Sequence, residues 1–317
     1  MLLQPNSAGA DDGGDDAVAK AAAAAARDLF NQLGPPADAE AAPTEPAAAP
    51  VDLMDEPSEA EIDDVIAEGK RLDGRDIYKE LIKNRQRLRT VFQQGRIIST
   101  DQAGNPQQTN FWLHAKDYRD KNDKAVGGIF TKSIFKITGP YEMRHTGYLY
   151  VERDGDDDQQ FMYSPSRGRT ARVKLKGQSV AGTDFSFDDF LVSLDDIEDA
   201  EYERHADEEL QGVSVYVVEA FVKPGSKTEY SRSLSYIEKE HFVAIRTRYW
   251  DEVGVPVKEA VVDRLKIEEF EGAWIPTETT VTDLLEDSSS TLHVDVLEPN
   301  PELTDEAFAL SRLEYRP

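Results

Sequence analysis

Residues 161–190, FMYSPSRGRTARVKLKGQSVAGTDFSFDDF, decide how this chain is read, and they fall into two halves. The first alternates bulky and polar residues through Phe161 and Tyr163, breaks at Pro165 and resumes over Arg172-Val173-Lys174-Leu175-Lys176. A twofold period interrupted by a turn residue predicts two half-buried strands around a turn. Arg167, Arg169, Arg172 and Lys174 crowd this half with positive charge. The second half, Gly182-Thr183-Asp184-Phe185-Ser186-Phe187-Asp188-Asp189-Phe190, sets three phenylalanines beside three carboxylates. That composition suits a loop that plugs an apolar opening while its acids face water or the arginines. Alternation along it puts Phe185 and Phe187 on one face and Ser186 and Asp188 on the other.

Working outward, twofold runs occupy 88–100, 107–115, 133–138, 147–153, 160–164 and 170–176 before the loop. After it they occupy 213–222, 230–236, 244–250, 257–268, 274–284 and 290–297. Short runs separated by Gly, Asn and Asp, with no alternation of strand and helix, predict one antiparallel meander. The acidic segment 194–210, broken by Tyr202, reads as a helix and loop crossing one mouth of the sheet. Residues 304–310 read as a short terminal helix. A short helix is also expected from near Asp73, carrying Ile77, Leu81 and Ile82. Another follows Pro57, where Ser58-x-x-Glu61 forms a capping box ahead of Ile62, Val65 and Ile66.

The beginning of the chain has a different composition. Residues 1–60 hold 12 acids and 2 bases, many alanines and prolines, and Phe30 as the sole aromatic. This predicts a disordered acidic leader and linker over 1–57, with a marginal helix through the alanine run at 21–26, and a single domain over 58–317. Ala8-Gly9-Ala10 is an acceptable small-x-small cleavage site, so 1–10 reads as the remnant of a signal peptide, although the basic start and apolar core are missing. On the residues alone, export and a cytosolic location stand level.

Composition narrows the function classes. The net charge is −26, from 62 acids against 36 bases, so there is no domain-wide basic surface for nucleic acid or anionic lipid. There is no cysteine, which removes disulfides, thiolate metal sites and a cysteine nucleophile. No run approaches the ~20 apolar residues that span a bilayer. His114, His145, His205, His241 and His293 show no ligand spacing, so no metal site is expected. Asp154-Gly155-Asp156-Asp157-Asp158 imitates a calcium loop but has Gln159 where glycine is needed and Pro165 where a bidentate glutamate belongs, so it reads as a hairpin turn. No nucleophile elbow, phosphate loop or dinucleotide fingerprint is present. No cofactor and no enzymatic activity are expected.

What remains is apolar. Trp112, Phe135, Tyr148, Tyr150, Phe161, Tyr163, Tyr249 and Trp274 lie on strand candidates, and they either fill a core or line a lipid-sized cavity. Periodicity alone does not choose between these readings.

The Tyr-x-Pro segment running into the arginine-rich strand and then Gly-Thr-Asp-Phe-Ser-Phe-Asp-Asp-Phe resembles the periplasmic outer membrane lipoprotein-sorting proteins, relatives of the LolA/LolB lipoprotein carriers. The likeness continues through Tyr236-Ile237-Glu238-Lys239-Glu240, Ile245-Arg246-Thr247-Arg248-Tyr249-Trp250-Asp251, Gly272-Ala273-Trp274-Ile275-Pro276-Thr277 and Phe308-Ala309-Leu310, covering about 70–315. The resemblance implies a mainly β, α+β fold: a curved, incompletely closed antiparallel barrel covered by helices, whose concave face holds acyl chains. It implies a non-enzymatic periplasmic carrier whose partners are a lipid or acylated lipoprotein and an inner-membrane transporter complex. The cavity would be lined by Trp112, Phe135, Tyr148, Tyr150, Phe161, Tyr163, Phe185, Phe187, Phe190, Tyr249 and Trp274. Arg167, Arg169, Arg172 and Asp184 would meet a head group or pair within the loop. Two other classes stay open: an accessory protein of an envelope export complex that binds a protein partner, and a hydrolase.

Overall fold

The computed structural model describes residues 72–315 except 102, 156, 176, 191–194, 227 and 229. The leader, the signal remnant, the linker and the helix expected after Pro57 lie outside the described residues. Helix α1 spans Gly74–Gln86, capped by Asp73, whose carboxylate accepts from the Asp76 N–H at 2.8 Å. Ile77 and Ile82 bury one face of it, as their spacing predicts.

The strands that follow are β1 (Thr90–Thr100), β2 (Pro106–Asp117), β3 (Ile129–Gly139), β4 (Gly147–Arg153), β5 (Gln159–Ser164) and β6 (Arg169–Arg172). After the segment 173–190 come β7 (Ala200–Arg204), β8 (Glu208–Leu210), β9 (Val213–Val222), β10 (Arg232–Glu238), β11 (Val243–Trp250) and β12 (Pro256–Val262). β13 (Ile267–Phe270), β14 (Ala273–Pro276), β15 (Glu278–Asp283), β16 (Ser288–Pro299) and helix α2 (Leu310–Glu314) complete the chain. The runs at 147–153 and 213–222 are met to the residue.

Fourteen of these strands form one antiparallel sheet, ordered β6-β5-β4-β3-β2-β1-β16-β15-β12-β11-β10-β9-β7, with β8 also on β9. The end strands β6 and β7 do not pair with each other among the described residues, so the sheet is open. Its connectivity is two meanders joined where β1 pairs β16, from Val91↔Pro299 to Thr100↔Ser289. A bulge at Gln94/Gly95 bends this seam, and a Cβ on Gly95 would stand 2.4 Å from the His293 carbonyl oxygen.

Three expectations are corrected. The acidic segment 194–210 is a 3-10 turn, Asp195–Asp199, followed by the edge strands β7 and β8. Glu201 and Glu203 alternate with the half-buried Tyr202 and Arg204, so the acids are the outward positions of a strand. The run 170–176 stops at Arg172, and 257–268 and 274–284 each break in two, leaving the hairpin β13–β14 outside the main sheet.

Register divides the side chains between two faces. Paired residues share a face, so Ile97, Phe111, Phe135, Ile137, Tyr148, Val281 and Leu292 stand together on what is here called the inner face. The cover over this half of it is irregular chain, the segment 173–190, where helices were expected. Helix α1 packs against β7, β9, β11 and β14, with Tyr78 against Tyr202 at 5.0 Å. On the outer face, Ile134, Leu149, Val151 and Tyr163 meet Phe308 and Leu313 of the C-terminal strap.

Candidate functional site: the inner face and its cover

Segment 173–190 is a small irregular hairpin. The Val180 N–H donates to the Phe185 carbonyl at 2.7 Å and the Phe187 N–H to the Gln178 carbonyl at 3.0 Å. The reversal uses Ala181 and Gly182, both at positive φ (56° and 76°), the backbone that tight hairpins need and glycine adopts without strain. Phe187–Asp189 then form one 3-10 turn that begins after Ser186. The alternation expected across 185–188 is therefore broken: Phe185, Ser186 and Phe187 are all buried.

The phenylalanines press onto the inner face. Phe187 lies 4.9 Å from Tyr148, Phe190 lies 6.4 Å from Phe135 and 5.8 Å from Phe185, and Phe135 stacks on Phe111 at 4.8 Å. Between this cover and the strands remains a cavity of about 30 Å³, lined by Leu113, Phe135, Tyr148, Tyr150, Phe187 and Phe190. That is room for one or two waters, far below the roughly 300 Å³ of a ligand pocket. Burial here raises the Tyr148 phenol above its ordinary pKa.

The acids of the segment act as fasteners, and their partners are not the arginines. Asp184 accepts from the hydroxyls of Ser288 and Ser290 on β16, and its N–H donates to Ser290 Oγ at 3.0 Å. Asp188 accepts from the Gly177 N–H. Asp189 accepts from the Ser186 N–H at 2.7 Å and meets Lys258 Nζ of β12 at 2.9 Å. Lys258, itself buried, also donates to the Tyr230 hydroxyl at 2.8 Å. Beyond this junction Arg85 of α1 reaches solvent yet is ringed by protein. Burial lowers its guanidinium pKa, opposed by Tyr249, Asp189 and Tyr78. Burial also holds the Tyr249 phenol well above its ordinary value.

The residues expected to line one cavity are distributed over the molecule. Phe135, Tyr148, Tyr150, Phe185, Phe187 and Phe190 come together at the inner face. Trp112, Phe161 and Tyr163 point to the outer face, because each is an odd number of positions from an inner residue on its own strand. Tyr249 lies against Tyr230 with ring centres 4.6 Å apart and planes tilted by 36°, further along the inner face. Trp274 belongs to the β13–β14 hairpin, where its backbone bonds the Asn84 amide and its ring lies 3.7 Å from His241. Arg167, Arg169 and Arg172 are exposed around the β5–β6 hairpin and make no ion pair among the described residues.

Lys258 was missed, although a signal existed: in β12 it shares a face with Ala260 and Val262, and an inward lysine needs a buried partner. Glu238, Glu240 and His241 bring ligand atoms within 4.8 Å of one another. The Glu238 carboxylate already accepts from the N–H groups of Glu240 and His241 at 2.9 and 3.0 Å, so the cluster is accounted for as the clasp of the β10–β11 turn.

Comparison with known proteins places this geometry. A family model described as "-like: Uncharacterized protein" matches residues 130–315. No curated protein matches the chain. Among solved structures, a DUF1329 family protein from Desulfovibrio piger aligns at TM-score 0.67 and 23% identity, over 76% of this chain and 97% of that one. A domain assigned to outer membrane lipoprotein sorting from Vibrio parahaemolyticus aligns at 0.65 and 18%, over 76% and 98%. A LolA superfamily protein from Nitrosomonas europaea aligns at 0.60 and 16%, over 76% and 99%. At these identities the likeness is one of fold, and it meets the resemblance read from residues 161–190.

Proposed function

We propose that this chain, which belongs to the family matched over residues 130–315 and has the fold of the LolA superfamily, is a non-enzymatic periplasmic carrier of acyl chains. Its cargo is a lipid or an acylated lipoprotein in transit to the outer membrane, received from an inner-membrane transporter complex. One observation carries the reading: the apolar inner face of β1–β4 is closed by the irregular hairpin 173–190 instead of a packed helix or second sheet. Segment 173–190 occupies the acyl site, and cargo binds as the segment withdraws.

The energetics allow this exchange. Exposing Leu175, Val180, Phe185 and Phe187 costs at most about 12 kcal/mol, at about 3 kcal/mol per fully buried side chain, which roughly fifteen acyl methylenes at about 0.8 kcal/mol each would offset. No covalent step is required.

The chain has no cysteine, so Asp184→Cys with Ser290→Cys introduces a unique pair at a contact already closed to 3.0 Å. Binding of the fluorescent fatty acid cis-parinaric acid is measured in the oxidised and the reduced protein. Uptake only after reduction is expected. Equal uptake in both states, or none in either, overturns the reading.

A further inference from the structure

The outer face holds a second cavity, larger than the first. It measures about 400 Å³ and lies between β2–β3 and the C-terminal strap. The strap beside it is pinned on several sides. Lys116 Nζ donates to the Leu303 carbonyl at 2.8 Å, and the Tyr118 hydroxyl to Asp305 at 2.6 Å. Lys136 Nζ donates to the carbonyls of Leu313 and Tyr315 at 2.9 and 2.6 Å, and Thr170 to Glu314 at 2.8 Å. Phe308 and Leu313 are buried beyond it.

The lining has a defined chemistry. Trp112 and Leu303 offer apolar surface, while Arg144 and Arg312 stand at the cavity with guanidiniums that make no hydrogen bond or ion pair among the described residues. Elsewhere half-buried arginines are claimed by acids, as Arg246 and Arg248 both meet Glu259 at 2.8 Å, whereas Arg144 and Arg312, like the exposed Arg167, Arg169 and Arg172, keep their guanidinium donors open among the described residues. Glu302 is the acid on the lining, and it makes no ion pair with either guanidinium among the described residues. Lys136 is committed to the strap carbonyls, and burial lowers the His114 pKa, so that ring adds no charge at neutral pH.

We propose that this cavity is a binding site for a small amphipathic anion, a carboxylate or phosphate on a compact aromatic or apolar body. The anion meets the planar donors of Arg144 and Arg312, and the body lies against Trp112. This site is separate from the inner face and does not depend on the carrier reading.

The test titrates the full chain with 2-naphthoate, 2-naphthyl phosphate and neutral 2-naphthol, read by calorimetry and by tryptophan fluorescence with Trp112→Phe as the reference. Both anions are expected to bind at least tenfold more tightly than 2-naphthol. The double variant Arg144→Ala/Arg312→Ala should lose at least tenfold for the anions and nothing for the alcohol, with its melting temperature held. Both arginines are exposed, so the fold does not rest on them. Ala307→Trp, which fills the cavity, should abolish binding of all three. Preference for one anion identifies the carboxylate or the phosphate as the recognised group. Absence of binding, equal affinity for anion and alcohol, or anion binding indifferent to the arginines or to Ala307→Trp overturns the proposal.

Discussion

The inner face of the sheet has two covers, and they are fastened by opposite means. Helix α1 lies over β7, β9 and β11, holds Ile77 and Ile82 inside and binds outward through Asn84, whose amide closes a pair of hydrogen bonds with the Trp274 backbone at 2.7 and 2.9 Å. Segment 173–190 lies over β1–β4, hangs from β5 by the Val173 N–H on the Gln160 carbonyl at 2.9 Å and the Leu175 N–H on the Gln160 side chain, makes its other backbone bonds within its own hairpin, and is tied further along by carboxylates on Ser288, Ser290 and Lys258. A helix satisfies its own backbone, so it can be glued down by apolar contact alone. A hairpin bound by polar fasteners can leave as a unit, because carboxylates released to water are well solvated. Both covers bury aromatic or aliphatic side chains, so what separates them is how they are fastened.

The sharpest way to break this comparison is Lys258→Met. It removes the cation between Asp189 and Tyr230 and leaves the mostly buried Asp189 carboxylate to Ser186 and the charge of Arg85. Loss of one partner of a buried pair costs about 3 kcal/mol. Urea denaturation should show that loss, and cis-parinaric acid uptake should rise at native concentrations of denaturant. A stability loss with no rise in uptake would mean that the segment is core and not cover.

The other cover should behave differently. Asn84→Ala leaves the half-buried N–H and carbonyl of Trp274 without their amide partner, at about 1 to 2 kcal/mol. The urea midpoint should fall while fatty-acid uptake stays unchanged, because α1 does not close the acyl site. Increased uptake in this variant would make the two covers equivalent and erase the distinction drawn above.

How much of this was legible in the sequence follows the same division. Helix α1 was legible because its cap and its apolar spacing are local, and strands β4 and β9 because alternation is local. Segment 173–190 was legible as a plug from its phenylalanines and acids, but its fasteners were not, since Ser290 and Lys258 lie 106 and 69 residues from their partners Asp184 and Asp189. Assigning Arg167 and Arg172 as partners failed because nearness along the chain was the sole guide. Trp112, Phe161 and Tyr163 were placed in the cavity by bulk and hydrophobicity, yet their face depends on parity relative to Leu113, Gln160 and Met162, which only the register fixes. β7 was hidden by its charge: an edge strand with alternate glutamates looks like a solvated helix until its partner β9 is known.

The smallest effect concerns the third cover, the strap on the outer face, which shares the polar fastening of segment 173–190 but stays in place over its cavity. Its Asp305 accepts from Tyr118 and meets Lys132 at 3.3 Å, and these contacts hold its carboxyl below the ordinary value. A carboxylate depressed in the folded state contributes stability that is complete above its unfolded pKa, about 3.9, and is lost as pH falls through the lower folded value. The side chain is 63% exposed, so screening keeps the contribution under about 1 kcal/mol. Hydrogen exchange of residues 305–314, corrected for intrinsic rates, should show up to about fivefold more protection in the wild type than in Asp305→Asn at pH 6. The two should converge once the pH has fallen below the folded value of Asp305, where both side chains are neutral. A difference that persists at that pH would assign the fastening to shape alone, and the strap would then belong with α1 as a cover held by packing.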